Sequence, residues 1–379
     1  LVLNAGSSSL KAALFAVPTL TRQMTLHLDG VASGSGGGHR ADANGARTPI
    51  TWSGGTHADA VRWLVEHLAD AQPVAIGHRV VHGGPAFTAP VLIDADVLAQ
   101  LRALIPLAPL HEPANVHGIA AAGQAFPGVP QVACFDTAFH AEQSWVARTY
   151  ALPARYFAAG VRRYGFHGLS YQAIAQALPQ VAPALATGRV IVAHLGNGAS
   201  LCALRAGRSV ATTMGFSAID GLPMGTRSGQ IDPGVLLYWL QHDGLTPAQI
   251  SDLLNRQAGL LGLSGISGDM RVLLQSPAPA ARAAIDYFVE RVVQAIGSLA
   301  AALDGVDGLV FTAGIGEHAA EVRARIVGRL GWLGLHLDPT ANAQHGPCIS
   351  QPGPVSAWVI PTDEERVLAE QTWSTLRPA

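Results

Sequence analysis

Residues Val190 to Leu204 constrain the fold more than any other stretch of the chain. Val190-Ile191-Val192-Ala193 is an unbroken apolar run, His194-Leu195-Gly196-Asn197-Gly198 is a sharp turn, and Ala199-Ser200-Leu201-Cys202-Ala203-Leu204 runs back. A buried strand, a Gly-Asn-Gly turn and a second strand make a hairpin. Its side-chain-poor tip leaves backbone N–H groups bare, a nest for phosphate oxygens. The chain opens on an echo of this pattern. Leu1-Val2-Leu3 and Leu10–Phe15 flank the turn Asn4–Ser9, and Gly6-Ser7-Ser8-Ser9-Leu10-Lys11-Ala12 parallels Gly198-Ala199-Ser200-Leu201-Cys202-Ala203. Two phosphate-facing hairpins in two halves of one chain suit a nucleotide lying in a cleft between them; an ordinary serine-rich turn is the alternative for the first.

Bulk properties narrow the class. The 379 residues allow two domains, each with its own core. A hydrophobic content of 49% with 13% charged residues fits a compact enzyme. The net charge of -2 provides no basic field, so neither nucleic acid nor a membrane is expected as a partner. No apolar run reaches the roughly 20 residues of a membrane helix. The opening residues read as a first core strand rather than a signal or transit peptide. Cys134, Cys202 and Cys348 lack ligand spacing and read as core residues of a reduced, cytoplasmic protein. Among 24 basic residues Lys11 is the one lysine, which directs attention to the first hairpin.

Further motifs accumulate along the chain. The Gly/Ser/His-rich insert Ser33–His39 reads as a flexible turn, and His57–Leu68 has helical periodicity. A strand at Val74–Gly77 runs into His78-Arg79-Val80-Val81-His82-Gly83-Gly84, where Arg79 must be paired or face a cleft. Asp94 begins a helix, and a proline-fixed loop, Pro106–Asn115, precedes a helix over Val116–Phe126. The strand Gln131–Phe135 ends at Asp136, the carboxyl end of a buried strand, where α/β folds place catalytic or metal-binding groups; helix capping is the plain alternative. In Gly221–Gly229, Arg227 offers a bidentate donor inside a glycine-rich loop. Gly259–Arg271 reads as a second glycine-rich loop and Ala280–Leu303 as a long helix with a core stripe. Leu309–Ala313 opens into Gly314-Ile315-Gly316-Glu317-His318, a strand, Gly-x-Gly and helix that accept a nucleotide. Glu364 and Glu365 begin a closing helix, where acidic residues are also favoured by the macrodipole. His78 and His82 share one strand face but lack a third ligand with zinc spacing, so they are structural or substrate-facing, as are His111, His117, His140 and His345.

Taken together, the segments Asn4–Lys11, His78–Gly84, Pro109–Asn115, Phe135–His140, Arg163–Gly168, His194–Gly198, Met214–Pro233, Ser264–Arg271, Phe311–Glu317 and Ile360–Glu365 resemble the acetate kinase family from end to end. The resemblance implies an α/β protein of two duplicated ribonuclease-H-like, actin-like ATPase domains with ATP in an interdomain cleft. It divides the chain into residues 1–140 with 366–379 and an inserted, nucleotide-binding and dimerising domain, 141–365. The activity implied is reversible transfer of the γ-phosphoryl of ATP to acetate, giving acetyl phosphate and ADP, by a homodimer using magnesium, with manganese as the alternative ion. Carried over by motif, Arg79, Asp136, His167 and Arg227 are catalytic, and Asn4 and Glu364 hold the metal. Arg79, Val81, Leu110, His111, Phe166 and Ala218 bind the short-chain carboxylate. Lys11, Ser7, Ser9, His194, Leu195, Gly196, Asn197, Gly198, Asp269, Met270, Arg271, Gly314, Ile315, Gly316, Glu317 and His318 surround ATP. Asp136 has three readings: ordering Arg79, helping the metal, or serving as a base for a hydroxyl acceptor.

Four positions depart from the family pattern: Ala218 for a common proline, which widens the acyl site toward propionate, together with Leu169-Ser170-Tyr171, His318 and Gln230. A kinase of longer acids such as butyrate is the near alternative. A non-catalytic ATP switch is the distant one, which the Arg79 and Arg227 pair disfavours. An acceptor that is already a carboxylate needs no general base, only cations that let an anion approach a polyanion.

Overall fold

The structure is a computed structural model, described here for residues 1–6, 9–31, 36–68 and 72–377. Ser7, Ser8 and Ser33–Ser35 lie outside the described residues. The chain forms two compact units, Leu1–Ala141 with Asp363–Ala379 and Glu142–Thr362. The first holds an eight-stranded sheet made of β1 (Val2–Ala5), β2 (Ser9–Ala16), β3 (Thr21–Asp29), β4 (Gly37–Asp42), β5 (Arg47–Ile50), β6 (Ile76–Val80), β7 (Val91–Leu92) and β8 (Gln131–Phe135), in the order β5-β4-β3-β2-β1-β6-β8-β7. The second holds β9 (Arg189–Leu195), β10 (Ala199–Arg205), β11 (Arg208–Thr212), β12 (Gly308–Thr312) and β13 (Ser356–Val359), ordered β11-β10-β9-β12-β13.

Strand direction exposes the duplication. In β3-β2-β1-β6-β8 the first two pairings are antiparallel and the last two parallel. The series β11-β10-β9-β12-β13 repeats that pattern pair for pair. The two hairpins singled out from the sequence, β1–β2 and β9–β10, thus occupy equivalent places in two copies of one mixed sheet. The fold is that of duplicated actin-like ATPase units.

Each unit has its own core. In the first, Leu3, Leu10, Leu26, Leu28, Val61 and Leu64 pack on one side of the sheet, joined by the helix His57–His67. Leu101 of the helix Ala95–Ala103 and Val116 and Ile119 of the helix Glu112–Ala125 cluster with Val80 and Phe135 of the sheet. The closing helix Glu364–Leu376 lies on β6 and β8, and its approach explains a glycine: a Cβ on Gly77 would lie 2.1 Å from Thr372 Oγ1. In the second unit β9 is buried from Val190 to Leu195, covered by the long helix Pro279–Ala302 through Phe288, Val292 and Ile296.

Several boundaries differ from the sequence expectation. The helix expected from Val116 starts at Glu112, because Pro113 sits in its first turn, where a missing N–H costs nothing. The expected glycine-rich loop at Gly259 is a helix, Gly259–Ser264, which Gly265 ends in the left-handed conformation. The strand placed at Val74 begins at Ile76 and continues through Arg79 to Val80. Gly37, Gly38 and His39 of the supposed flexible insert are the start of β4, paired with β3.

Candidate active site

In the first unit four of the expected site residues form one connected network. Arg79 projects from the carboxyl end of β6, beside Asp136 just past the end of β8. Its Nε donates to both Asp136 oxygens at 3.2 Å, its Nη2 donates to Oδ2 at 2.7 Å, and its Nη1 donates to Asn4 Oδ1 at 3.0 Å. Asn4 Nδ2 in turn donates to Glu364 Oε2 at 3.0 Å. Asp136 is 1% exposed and the Arg79 side chain 17%. Burial alone draws the Arg79 guanidinium down, but the charges of Asp136 and Glu364 and the Asp136 hydrogen bonds outweigh it; its pKa rises and it stays cationic. An aspartate that receives three N–H contacts from one guanidinium is a clamp on that guanidinium, which favours the ordering role for Asp136 among the three open to it.

The oxygen donors at this end of the unit fit a hard cation. Glu364 neighbours Glu365, whose Oε1 is buried without a hydrogen-bond partner and whose pKa is raised by burial and by the Glu364 charge. Among the described residues no group of three or more histidine, cysteine or acidic side chains could hold a metal by itself. A magnesium ion with one or two protein ligands and phosphate oxygens has no need of such a group. Lys11 stands opposite Asn4 across the β1–β2 pair, with its side chain exposed, and Ser9 takes the N–H of Gly6 on its carbonyl at 2.9 Å. Val81 is buried and its N–H donates to Asn115 Oδ1; Leu110 is partly buried, as is His111, which caps the helix Glu112–Ala125 without a side-chain cap bond.

The second unit brings a different set together. His167 has left-handed backbone, φ 57, at the start of the helix Gly168–Val181. Its Nδ1 shares a hydrogen bond with Ser200 Oγ at 2.8 Å, and Tyr171 Oη also bonds Ser200 Oγ. Its ring stacks on His194 at 4.1 Å, while His194 Nδ1 bonds Ser170 Oγ at 2.8 Å. Arg227 is anchored by Nη1 donating to Ala218 O at 2.7 Å. Both side chains then converge over Gly198: a Cβ there would lie 2.7 Å from Arg227 Nη2 and 3.2 Å from His167 Nε2. The glycine of the hairpin tip is the floor on which two cationic or proton-bearing groups meet.

Beside them the glycine loops pack backbone against backbone. A Cβ on Gly225 would lie 2.2 Å from Asn197 Oδ1, and one on Gly268 2.7 Å from Gly225 O. They border a cavity of about 500 Å³ lined by Asn197, Met270, Arg271, Ile315 and His318, with Gly196, Asp269 and Gly314 at its walls. That volume suits a mononucleotide-sized ligand. Asp269 caps the helix Met270–Gln275 and pairs with Arg271 at 2.6 Å, which holds the Asp269 pKa down. Leu195 is fully buried in β9, Phe166 is 1% exposed, and Gly316 is buried, so none of these side chains lines the cavity. The Gly-x-Gly segment is itself part of a short helix, Ala313–His318, ahead of the helix Ala320–Val327; Glu317 Oε1 reaches back to the N–H of Ala313 at 2.8 Å and accepts from Thr362 N at 3.3 Å.

The sequence reading missed Ser200, which with Ser170 orients the two stacked histidines, and noted Ser170 and Tyr171 only as departures from the family pattern. Their signal was present: Ser200 follows the hairpin tip, and Ser170-Tyr171 sits one turn beyond His167. His78 and His82, read from the sequence as structural or substrate-facing, have protein partners: His78 Nε2 bonds Gln131 Oε1 at 2.7 Å and His82 Nδ1 accepts from Gly84 N at 2.8 Å. No described helix is long and apolar enough to cross a membrane.

Known proteins place this architecture. The acetokinase family profile matches residues 1–370. The acetate kinase of Nitrobacter hamburgensis is 51% identical over 387 residues, spanning 99% of this chain and 96% of the relative. That of Deinococcus radiodurans is 45% identical, spanning 98% and 96%. Among solved structures, a propionate kinase from Francisella tularensis matches with a TM-score of 0.90 at 38% identity over 98% of both chains. Porphyromonas gingivalis acetate kinase matches at 0.86 and 35% over 99% of both. With its profile match and these full-length relatives, this chain belongs to the acetokinase family.

Proposed function

We infer that the protein transfers the γ-phosphoryl group of ATP to acetate, forming acetyl phosphate and ADP, and that the reaction runs in both directions. The observation that carries this reading is the convergence of Arg227 Nη2 and His167 Nε2 over Gly198, the residue next in the chain to Asn197 of the nucleotide-sized cavity. A carboxylate oxygen attacks the γ-phosphorus, the bond to the β-bridging oxygen breaks with its electron pair leaving on ADP, and no proton has to move. What the reaction needs is relief of repulsion: like unit charges 4 Å apart repel by about 4 kcal/mol at an effective dielectric of 20. Arg227 and His167 neutralise the transferring phosphoryl oxygens, and Arg79, held by Asp136, receives the acceptor carboxylate. Asn4 and Glu364 would hold magnesium, or manganese, whose charge when bound screens the phosphate oxygens. The family pattern assigns Val81, Leu110, Phe166 and Ala218 to the acyl group, and the small Ala218 favours propionate as a second acceptor. The propionate kinase of Francisella tularensis among the structural relatives is consistent with that breadth.

The active form is a homodimer in this reading. The helix Pro233–Gln241 is strongly apolar yet buries none of its residues; Leu237 and Tyr238 are each 54% exposed and Leu240 43%. An unburied apolar helix of this kind is the surface of an association site. Three cysteines outside any disulfide, with the buried Cys134 and Cys202 thiols pushed up to about 12 by burial, suit a reducing cytoplasm. Trapping acyl phosphate as the hydroxamate, with ATP, magnesium and each of acetate, propionate, butyrate and glycerol, tests the reaction. Acetate should give the highest rate, propionate a lower one and glycerol none; silence with every carboxylate rejects the reading.

A further inference from the structure

Arg323 is a fully buried guanidinium that no part of the mechanism above employs. It lies in the helix Ala320–Val327, and all its donors are used on neutral acceptors. Nε donates to Asn342 Oδ1 at 2.8 Å, Nη1 donates to Gly316 O at 2.9 Å and Glu317 O at 2.8 Å, and Nη2 donates to Asn342 O at 2.8 Å and His345 Nδ1 at 3.0 Å. Among the described residues no acidic side chain offsets its charge; burial pulls the pKa down to about 10, which leaves it cationic at neutral pH.

Sequestering a cation without a counter-ion is costly, and an apolar side chain would fill the same space at lower cost. The five acceptors explain what is gained. Gly316 and Glu317 contribute the last carbonyls of the short helix Ala313–His318, which has no further turn to satisfy them. Residues Gly314, Ile315 and His318 of that same helix line the cavity, whereas Arg323 does not touch it. The planar fork therefore grips the cavity wall from behind. Asn342 extends the grip, since its Nδ2 donates to Ala320 O at 2.9 Å. From the other side Glu317 Oε1 holds the N–H of Ala313. The turn is thereby fixed at both ends by Arg323 and Glu317, neither of which lines the cavity.

We propose that Arg323 is a positioning residue for the nucleotide: its guanidinium, with Asn342 and His345 as fixed acceptors, sets the orientation of the Gly314–His318 wall against which ATP or ADP binds. This rests on the phosphotransfer reading only in naming the ligand. Lysine cannot substitute, because an ammonium presents three donors from one point rather than a planar fork.

The test separates positioning from bulk stability. Arg323→Lys should weaken ADP binding, measured calorimetrically, and raise KM for ATP, each by about tenfold or more, while KM for acetate stays within twofold. His345→Ala removes one acceptor and should weaken ADP binding by about threefold. His345→Asn offers an amide oxygen near the lost Nδ1 at a position of φ 52 that asparagine tolerates, and should restore it. A folded Arg323→Lys protein with unchanged ADP affinity overturns the proposal, as does an equal rise in both KM values. Should Arg323→Lys not fold, unchanged ADP affinity in His345→Ala overturns it. If wild-type protein makes no acyl phosphate yet Arg323→Lys still loses ADP affinity, the positioning role stands and the carboxylate-kinase reading fails.

Discussion

Asp136→Ala isolates the contribution of the Arg79 clamp. The substitution removes every acceptor for Nε and the Nη2 partner, leaving a guanidinium whose side chain is only 17% exposed with Asn4 as its remaining hydrogen bond. Deleting one partner of a buried ion pair costs about 3–5 kcal/mol. Glu364, one hydrogen bond away through Asn4, is the next anion in the network, and the freed guanidinium should turn toward it. That partial rescue sets the expected loss near the lower end, about 3 kcal/mol, or roughly 6–12 °C in Tm at 2–4 °C per kcal/mol. The same turn takes the cation away from the acceptor, and misplacement by about 1 Å is worth roughly 10²-fold in rate. Turnover in the hydroxamate assay should therefore fall by about 10²–10³, with KM for ATP within about threefold of wild type. Asp136→Asn, which keeps the shape without the charge, should fall between. A turnover within tenfold of wild type despite the lowered Tm would refute the reasoning, because Arg79 would then be a structural cation and not a reactive one.

Other perturbations are as direct. Gly198→Ala places a methyl group 2.7 Å from Arg227 Nη2, whose other nitrogen is tied to Ala218 O, so turnover should drop at least tenfold with little change in Tm; an active variant removes the convergence from the mechanism. Glu112 is fully buried, both its oxygens lack hydrogen-bond partners, and burial, aided by the Asp136 charge, raises its pKa to about 8 from 4.5. The nearby His82 backbone N–H acts the other way, short of a hydrogen bond. The folded state thus holds this proton more tightly, so its stabilising effect is complete below about pH 4.5 and is lost as pH rises toward 8. Glu112→Gln should flatten the stability profile over that window by about 1.4 kcal/mol per pH unit, read from urea midpoints; parallel profiles contradict the assignment. Leu237→Glu with Tyr238→Glu should convert the proposed dimer to monomer in sedimentation, and a mass unchanged from that of wild type rejects this helix as the interface.

Much of this protein was written in local sequence. Val190–Ala193 had to be a buried strand because nothing polar interrupts it, and the Gly-Asn-Gly turn had to reverse it. The faint likeness of Gly6–Ala12 to Gly198–Ala203 reported a true duplication, since both hairpins occupy the same place in repeated sheets. Helix boundaries were less legible where proline and glycine act by position rather than identity: Pro113 opens a helix, and Gly259 begins one with φ +61 against the backbone of Met224 and Arg227.

What sequence alone singled out is a set of candidate side chains for the chemistry, because charged residues in apolar strands and glycine-rich turns are conspicuous wherever they fold. What only tertiary structure decided is how those side chains are held. Asp136 lies 57 positions from Arg79, Ser200 lies 33 from His167, and Arg323 takes acceptors from two separate segments. Hydrogen bonds of 2.7–3.0 Å between such distant positions are fixed by the packing of sheet and helices, a global outcome that no local pattern of residues encodes.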